Sequence, residues 1–383
     1  MKTLVRKITF LTGTRADFGK LKPLMLRLQT DSQFKVEIFV TGMHMLYKYG
    51  ETHKEVDKTK LKNIHKFVNQ NYLDGMDSIL SKTISGFSDY VRERKPDMIV
   101  VHGDRVEALA AAIVGVLNNI KVAHIEGGEI SGTVDELIRH AVTKMSNIHF
   151  VSNKQAYKRL VQLGEQKHMV HNIGSPDIDV MESDLLPNMK EVRRRYKIPF
   201  NNYGVLLFHP VTSEIDELPS QVKLLVEALL KSKKNYIVIY PNNDDGSDYI
   251  FKEYLRLKKN LKFRIIPSMR FEYFLKTLKN AEFIIGNSSA GIREAPHYGV
   301  PTINVGSRQY NRAKCHSIID INFNLKKLLS TIEGLKKFKR RPVKMFGSGG
   351  ATNKFHNILK KKNIWEKSIQ KHFKDRKTIQ SNY

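Results

Sequence analysis

Acidic side chains crowd into one short stretch of this sequence, residues 124–140, which reads HIEGGEISGTVDELIRH. It contains Glu126, Glu129, Asp135 and Glu136 and begins at the end of an apolar run that is typical of a buried strand. Carboxylates that share a partly desolvated cleft have pKa values that are pushed apart, so one can act as an acid and another as a base. We therefore expect proton transfer where this strand ends.

Two further strand ends carry groups that can handle protons. Asp104 follows the apolar run that ends at Val101, and His209 follows the run that ends at Phe208. The carboxyl ends of parallel strands meet at one edge of a sheet, where ligands bind. We therefore expect both side chains to face the same cleft as Glu126.

Two histidines leave a metal site open as an alternative. His102 lies two residues before Asp104, and His124 lies two residues before Glu126. On strands this spacing lets each pair face one way, and both residue types are common metal ligands. A histidine on a buried strand is otherwise a hydrogen-bonded core group, so the spacing alone leaves both interpretations open.

Glycine-containing turns at two strand ends are suited to an anionic ligand. Residues 13–20, GTRADFGK, lack the P-loop spacing, but they lead from a strand into a helix N-terminus and include Arg15. Residues 286–294, GNSSAGIRE, place Ser288 and Ser289 where a diphosphate could bind and Glu294 where a ribose diol could bind. The alternatives are a plain turn in the first case and a serine N-cap with a surface glutamate in the second.

Alternating apolar and amphipathic segments must position these groups. Predicted strands occupy 5–12, 34–41, 97–101, 122–125 and 148–151, with helices at 20–28, 76–94, 106–117, 134–145 and 155–163. The second half repeats the pattern, with strands at 204–208, 236–240, 263–266, 283–285 and 302–305 and helices at 222–230 and 271–278. This alternation predicts an α/β fold of two doubly wound, Rossmann-like parallel sheets.

The same pattern suggests a division of the chain. We predict an N-terminal domain with the carboxylates over 1–185 and a nucleotide-binding domain over 186–352, with a polar linker near 183–202. A basic helix, at about 353–373 within a segment that runs to 383, is predicted to pack as a closing element. The ligand cleft is expected between the two domains, at the carboxyl ends of the strands.

Composition narrows the functional classes. The net charge of the 383 residues is +27, but about half of this excess lies beyond residue 325, without the interleaved aromatics of an RNA-binding sheet. An anionic small molecule is therefore favoured over a nucleic acid. No apolar run is long enough to predict a membrane span, and the N-terminal segment reads as a strand and not as a signal peptide. The single cysteine, Cys315, excludes an internal disulfide and fits the cytoplasm.

In combination, these motifs resemble those of the hydrolysing UDP-N-acetylglucosamine 2-epimerases of the bacterial sialic-acid pathway. The resemblance rests on GTRADFGKL, VTGMHM, HGDRVEALA, HIEGGEISGTVDELIRH, IGSPDIDV, FHPVTSE, YPNNDDGS, RFEYF and GNSSAGIREAP. It implies the GT-B fold, a homodimer or homotetramer, no metal or nicotinamide cofactor, and a pathway that supplies a capsule or surface polysaccharide. The implied reaction eliminates UDP to give 2-acetamidoglucal and then hydrates it to N-acetylmannosamine.

The resemblance also implies roles for single residues. Asp104, Glu126 and Asp135 match catalytic carboxylates, and His209 matches a histidine near the diphosphate and the sugar. Residues that match contacts to UDP or the sugar are Arg15, Lys20, Arg105, Asn242, Phe271, Ser288, Ser289, Glu294 and Arg308, with Phe271 beside uracil and Glu294 at the ribose. Glu129 matches no role, and His124 is left as a structural histidine.

Two other functions remain compatible with the sequence. One is a hydrolysing 2-epimerase of a nucleotide-linked 2,4-diacetamido-trideoxy sugar, which differs in the pocket around sugar C4 and C6. The other is a GT-B glycosyltransferase, which would need an acceptor and would leave the nucleotide sugar unconsumed in its absence.

Overall fold

A computed structural model describes residues 5–374 and contains two separate parallel sheets. The strands of the first are β1 Arg6–Thr12, β2 Phe34–Val40, β3 Ile64–Lys66, β4 Met98–His102, β5 Lys121–Ile125, β6 Ile148–Val151 and β7 Val170–Asn172. Their spatial order is β3-β2-β1-β4-β5-β6-β7, and every pair is parallel. The order reverses between β1 and β4, which places a crevice at the carboxyl ends of these strands.

The second sheet repeats this topology with six strands. They are β8 Gly204–Leu207, β9 Tyr236–Ile239, β10 Phe263–Ile266, β11 Phe283–Gly286, β12 Thr302–Val305 and β13 Ile318–Ile321. The order β10-β9-β8-β11-β12-β13 reverses between β8 and β11. Both sheets are buried on two faces, because their strands are continuous apolar runs that helices cover from either side.

Helices connect the strands in the manner of doubly wound sheets. They are α1 Arg15–Gln29, α2 His53–Asp57, α3 Met76–Arg94, α4 Val106–Leu117, α5 Val134–Met145, α6 Lys154–Gln162, α7 Pro176–Met181, α8 Met189–Tyr196, α9 Leu218–Lys231, α10 Ser247–Tyr254, α11 Phe271–Asn280, α12 Glu294–His297, α13 Leu325–Gly334, α14 Ala351–Leu359 and α15 Lys362–Glu366. The predicted helices at 76–94, 106–117 and 134–145 are confirmed as α3, α4 and α5. The predicted linker at 183–202 contains α8, whose Val192 packs in the core of the second sheet.

The sequence prediction missed three of the four edge strands and the start of α1. Strands β3 and β7 have three residues each, which is too short for periodicity to be read, and β13 is only partly buried, with Asp320 exposed. Helix α1 begins at Arg15 and not at residue 20, because Thr14 and Asp17 form a capping box. The Thr14 side chain accepts a hydrogen bond from the backbone of Asp17, and the Asp17 carboxylate accepts one from the backbone of Thr14.

The prediction of one basic helix over 353–373 is wrong. Two short helices, α14 and α15, stand in its place, and the rest of that segment up to residue 374 is irregular. Tertiary hydrogen bonds explain the difference. Trp365 donates to the carbonyl of Leu359 at the end of α14, and Asn147 of the first sheet's domain donates to the carbonyl of Ile369. The part of the predicted segment beyond residue 374 lies outside the described residues.

The two sheets with their helices face each other across a cleft, which is the GT-B arrangement expected from the resemblance. After the second sheet, helix α14 returns to the first domain. Its Phe355 packs on Phe10 and Phe150 in the core of the first sheet. In the other direction Ile178 of α7 packs in the core of the second. Within residues 5–374, none of the helices combines the length and the apolar character needed to cross a bilayer.

Gly286 at the end of β11 is a position where only glycine fits. Its φ is +132°, and a Cβ there would overlap the backbone carbonyl of Leu207 on β8. We expect Gly286→Ala to lower the free energy of unfolding by about 2–4 kcal/mol, from backbone strain and overpacking together. Denaturation followed by circular dichroism measures this loss.

Gly334 is the matched control for that substitution. It lies at the end of α13 with a φ of −59°, and a Cβ added there would meet none of the described residues within 4 Å. Gly334→Ala should change stability by less than about 1 kcal/mol. Equal losses in the two variants would contradict the assignment of a steric requirement to Gly286.

Candidate active site

A cavity of about 290 Å³ lies between the two sheets at the carboxyl ends of their central strands. All thirteen residues predicted from the sequence line it. They are Arg15, Lys20, Asp104, Arg105, Glu126, Asp135, His209, Asn242, Phe271, Ser288, Ser289, Glu294 and Arg308. The structure thus brings these side chains together, while the role of each stays a prediction.

Asp104 and Asp135 form a pair of carboxylates with opposite pKa shifts. Burial would raise the pKa of Asp104, but the nearby guanidinium groups of Arg139, Arg312 and Arg308 together outweigh burial and lower that pKa. Burial and the negative charge of Asp104 raise the pKa of Asp135, against the pull of Arg308 at 3.0 Å. The pair therefore supplies one carboxylate that stays ionised and one that holds a proton more readily.

Glu126 follows β5 in a strained backbone conformation, with a φ of +67°. Its Oε1 accepts hydrogen bonds from Arg293 Nη2 at 2.6 Å and Ser175 Oγ at 2.9 Å, with Lys20 Nζ at 3.4 Å. Its Oε2 lies 3.3 Å from His102 Nε2. Burial opposes ionisation, but Arg293 and Lys20 prevail and hold the pKa of Glu126 well below its ordinary value.

Glu129, for which the sequence suggested no role, anchors arginines beneath the cavity. Its Oε1 pairs with Arg293 and accepts from Ser152 Oγ at 2.7 Å, while its Oε2 accepts from Arg312 at 3.0 Å. Burial alone would raise the pKa of Glu129, but these guanidinium groups lower it to about 2. Glu129 is therefore a buried, ionised partner of the site arginines.

Both nitrogens of His124 are engaged away from the cavity. Nε2 lies 2.8 Å from the carbonyl of Gly103 and Nδ1 lies 3.1 Å from Thr143 Oγ1, so Nε2 carries the proton. Burial lowers the pKa of His124 to about 3, which keeps the ring neutral. The pairing of His124 with Glu126 as metal ligands is therefore wrong. Among residues 5–374, no group of three or more His, Cys, Asp or Glu side chains is arranged to hold a metal.

His209 enters the cavity as a neutral hydrogen-bond donor. Its Nδ1 accepts from the backbone N–H of Asn242 at 3.0 Å, so the proton of the neutral ring is on Nε2. Burial, with Arg308 next in effect, lowers its pKa well below the ordinary value. The side chain of Asn287 fixes the backbone of His209 through hydrogen bonds of 2.7 and 2.8 Å. A neutral Nε2–H can donate to an oxygen of a phosphate or a sugar without changing charge.

The anion-binding side of the cavity combines Arg15 with two serines. Arg15 occupies the first position of α1, and burial lowers its pKa to about 10, so it stays a cation at neutral pH. Within residues 5–374, no carboxylate forms an ion pair with it. Ser288 accepts from the N–H of Ala290 and begins the one-turn helix Ser289–Gly291, which precedes α12. The predicted helix N-terminus is thus a single 3₁₀ turn.

The resemblance implies UDP as the ligand, and Arg15 should then be a main determinant of UDP affinity. Because it has no ion pair among the described residues, its charge is available to the diphosphate, and Arg15→Met should weaken UDP binding about 10- to 100-fold. Isothermal titration calorimetry measures the dissociation constant. Arg27→Met, at the far end of the same helix, is the control and should leave UDP affinity unchanged. An unchanged affinity in Arg15→Met would exclude the diphosphate contact.

Lys20 and Glu294 are already engaged with protein charges beneath the cavity. Lys20 Nζ lies 3.4 Å from Asp177 Oδ2 and 3.7 Å from Glu294 Oε1, in addition to its contact with Glu126. Burial and the nearby carboxylates of Asp177 and Glu126 raise the pKa of Glu294. Its buried Oε2 has no hydrogen bond to any of the described residues, so this atom can accept from a ligand hydroxyl.

The remaining predicted residues shape the cavity wall. Arg105 donates to Glu107 at 3.2 Å and to Asn243 at 2.9 Å, so it joins the two domains. Asn242 contributes its backbone N–H to His209, while its side chain contacts Asp244. Phe271 at the start of α11 packs against Gly19 of α1 so closely that a Cβ at Gly19 would collide with the ring.

The sequence prediction missed the cations that control the carboxylates. Arg139 and Arg293 both lie inside stretches that carried the resemblance. Arg139 is one helical turn after Asp135, a spacing that places the two on one face of α5. That spacing could have indicated Arg139. For Arg293, whose side chain hydrogen-bonds to residues at least 116 positions away, no local signal exists.

Comparisons with known proteins agree on one family. The family described as UDP-N-acetylglucosamine 2-epimerase matches residues 26–360. A UDP-N-acetylglucosamine 2-epimerase of Neisseria meningitidis is 46% identical over 97% of this chain and 99% of its own length. The polysialic acid biosynthesis protein P7 of Escherichia coli is 35% identical over 83% of each chain. A hydrolysing UDP-N,N'-diacetylbacillosamine 2-epimerase of Legionella pneumophila is 32% identical over 93% of this chain and 96% of its own.

Solved structures support the fold. A UDP-GlcNAc 2-epimerase from Neisseria meningitidis, crystallised with UDP-GlcNAc, superposes with a TM-score of 0.77 over 92% of this chain and 99% of that one. Its sequence identity is 18%, so this likeness concerns the architecture alone.

Proposed function

We propose that this chain, which belongs to the UDP-N-acetylglucosamine 2-epimerase family, converts UDP-N-acetylglucosamine and water to N-acetylmannosamine and UDP. It is an enzyme that acts on a nucleotide sugar. The observation that carries the proposal is the carboxylate pair Asp104 and Asp135, with pKa values shifted in opposite directions, across one cavity from the cation Arg15.

The first half-reaction is an anti elimination. A carboxylate takes the proton from C2 of the sugar, the C1–O bond breaks with its electron pair going to UDP, and a C1=C2 double bond forms. The C2 hydrogen is not next to a carbonyl and is a weak acid, so cleavage of C1–O must run ahead of proton transfer. Ionised carboxylates beside the ring stabilise the resulting positive charge, and Glu126 and Asp104 are the ionised ones.

The departing diphosphate requires the opposite charge. Arg15 provides a cation, His209 provides a neutral N–H, and Ser288 and Ser289 provide hydroxyl groups at the wall of the second domain. Donors already fixed in position cost little reorganisation when the negative charge develops on UDP. The arrangement therefore supports a carboxylate-rich side that serves the sugar and a donor-rich side that serves the leaving group.

The second half-reaction adds water to the glycal. Water adds its oxygen to C1 and gives up a proton to an ionised carboxylate, while a second carboxyl group donates a proton to C2. This proton arrives on the face opposite to the one from which the first was removed, which inverts C2 and gives N-acetylmannosamine. Asp135, whose pKa is raised by burial and by Asp104, is the carboxylate best suited to donate that proton. The product supports a place at the start of sialic-acid biosynthesis, in line with the similarity to the polysialic acid protein.

Product analysis in deuterated water tests the function. Incubation with UDP-N-acetylglucosamine alone should release UDP and N-acetylmannosamine deuterated at C2, identified by NMR. UDP-N,N'-diacetylbacillosamine, offered in parallel, should react more slowly, since the chain is less similar to the relative of that name. Faster turnover of the diacetamido sugar would assign that substrate instead, and no consumption without an acceptor would indicate a glycosyltransferase.

No metal or nicotinamide takes part in the proposed steps. Treatment with EDTA followed by gel filtration should therefore leave the rate within about twofold of the untreated enzyme, because carboxylates alone move the protons. Loss of activity that returns on addition of a divalent cation would contradict this part of the mechanism.

The assembly and location proposed for the enzyme are a cytoplasmic homodimer or homotetramer that serves capsule or surface-polysaccharide synthesis. Exposed apolar side chains on two helices that pack together support self-association, namely Leu117 of α4, 75% exposed, and Leu137 of α5, 69% exposed. Light scattering after gel filtration measures the mass, and a monomer at micromolar concentration would contradict the proposal.

A further inference from the structure

Arg293 joins the nucleotide side of the cavity to the sugar side. It belongs to the second domain, between the turn Ser289–Gly291 and α12, yet its guanidinium contacts Glu126 and Glu129 of the first. On the basis of the function proposed above, we propose that Arg293 is a positioning residue that couples the diphosphate-binding serines to Glu126. It holds this carboxylate in place against the reacting sugar.

Contacts on several sides fix the position of the Arg293 guanidinium group. Nη2 lies 2.6 Å from Glu126 Oε1, Nη1 pairs with Glu129, and the Phe346 ring centroid lies 4.5 Å from Cζ. The side chain is 1% exposed, and Ser175 Oγ contacts both Nη2 and Glu126. The two carboxylates contact different nitrogens of the planar guanidinium fork, and the single ammonium nitrogen of a lysine cannot occupy both positions, so Arg293→Lys should lose one contact.

A backbone hydrogen bond connects the turn that holds the serines to Arg293. The backbone N–H of Arg293 donates to the carbonyl of Ser289 at 2.9 Å, and the Ser288 side chain caps the same turn. A displacement of this turn when a diphosphate binds must therefore move the start of the Arg293 side chain. In this manner occupancy of the nucleotide side is transmitted to Glu126, across the interface between the domains.

Charged and titratable groups from four other elements, and from the loop after β5, surround Glu126 and Arg293. Lys20 of α1 and His102 of β4 approach Glu126 directly, at 3.4 and 3.3 Å. The carboxylates nearby are Glu129, Asp177 of α7 and Glu294 of α12. After burial, Arg293 has the largest effect on the pKa of Glu126 and Lys20 the next largest, both lowering it. Removal of Arg293 should therefore raise that pKa even though Lys20 remains.

Two substitutions separate the charge of Arg293 from its geometry. Arg293→Gln removes the charge, so the pKa of Glu126 rises and the acidic limb of kcat/KM, where this carboxylate must be ionised, moves to higher pH. Arg293→Lys keeps the charge, so the acidic limb of kcat/KM should stay at the same pH. Its kcat should fall about 100-fold, because Glu126 is no longer held in the correct position. In Arg293→Lys, UDP affinity measured by calorimetry should change less than about fivefold.

Arg312→Gln is the matched control, because Arg312 pairs with Glu129 but not with Glu126. It should leave the titration of the Glu126 carboxylate in place, whereas the acidic limb is not the control readout for this variant, because Arg312 also lowers the pKa of Asp104. A second readout does not depend on catalysis: NMR of the enzyme labelled with 13Cδ-glutamate, with Glu126 assigned through Glu126→Gln, should show its carboxylate titrating at higher pH in Arg293→Gln.

The outcomes distinguish this inference from the proposed function. Absence of N-acetylmannosamine with the unaltered enzyme would overturn the function, whatever the Glu126 signal does. With the function intact, an Arg293→Lys enzyme that keeps the kcat of the unaltered enzyme would overturn the coupling. The coupling would also be overturned if Arg293→Gln changed neither the acidic limb of kcat/KM nor the pH at which the NMR signal of the Glu126 carboxylate titrates. If Arg293→Gln does not fold, the kcat of Arg293→Lys decides alone.

Discussion

Glu126→Gln should lower kcat about a thousandfold while the dissociation constant of UDP changes by less than about threefold. The carboxylate is ionised in the free enzyme because Arg293 and Lys20 outweigh the effect of burial. An amide of the same shape lacks the negative charge that stabilises a cationic sugar ring. The hydrogen bonds of Glu126 are to Arg293, Ser175 and Lys20, so the substitution removes no hydrogen bond to Arg15 or to the serines proposed to bind the diphosphate. Single-turnover kinetics and calorimetry give the two quantities separately.

The variant should remain folded, which makes this test informative. Arg293 keeps its pair with Glu129, and Lys20 keeps Asp177 and Glu294, so neither cation is left without a carboxylate. Glu136→Gln is the control, because Glu136 belongs to the same acidic stretch but does not line the cavity. It should have the kcat of the unaltered enzyme. Parallel losses of UDP affinity and kcat in Glu126→Gln would place Glu126 at the nucleotide and not at the sugar.

Asp104→Asn should lower kcat about 100- to 10,000-fold and also change the pH dependence of the residual activity. Asp135 has a raised pKa, caused by burial and by the charge of Asp104. If Asp135 donates a proton, activity is complete below its pKa and falls as the pH rises through it. Removing the charge at position 104 lowers the pKa of Asp135, so the alkaline limb should move to lower pH.

The pH profile of kcat for the residual activity measures this shift. Arg308 and Asp244 also act on Asp135, with opposite signs, and both are unchanged in the variant. Asp89→Asn, which removes an exposed carboxylate of α3, should alter neither the rate nor the profile. An alkaline limb that stays in place, or moves upward, would show that Asp104 and Asp135 do not titrate as a pair.

Sequence reasoning succeeded where the signal is local. The helices at 76–94, 106–117 and 134–145 were predicted with the bounds they have, because amphipathic periodicity persists over twelve or more residues. The two parallel sheets followed from apolar strands that alternate with helices. Many of the thirteen candidate residues lie at strand ends or in the turns and helix starts that follow them, which the topology gathers at one edge of each sheet. Others, namely Arg105, Asn242, Phe271 and Arg308, were predicted from the family resemblance alone.

Local patterns failed where distant parts of the chain compete. The basic segment 353–373 has the composition of a long helix, but hydrogen bonds from Trp365 and Asn147 satisfy its backbone groups in another conformation. Edge strands β3 and β7 are too short to show a period and β13 is only partly buried, and each becomes a strand by pairing with its neighbour in the sheet. Their existence is a property of the sheet and not of the segment.

The sequence by itself determined which acids and hydroxyls reach the cleft, whereas the tertiary structure decided their charges. Glu126 and Asp135 lie nine positions apart in one motif, yet the pKa of one is lowered and that of the other raised. The difference arises from Arg293, far along the chain, and from Asp104, two residues after the end of the neighbouring strand β4. In a desolvated cavity, Coulomb interactions depend on distances of a few ångströms, and only the folded chain sets those distances.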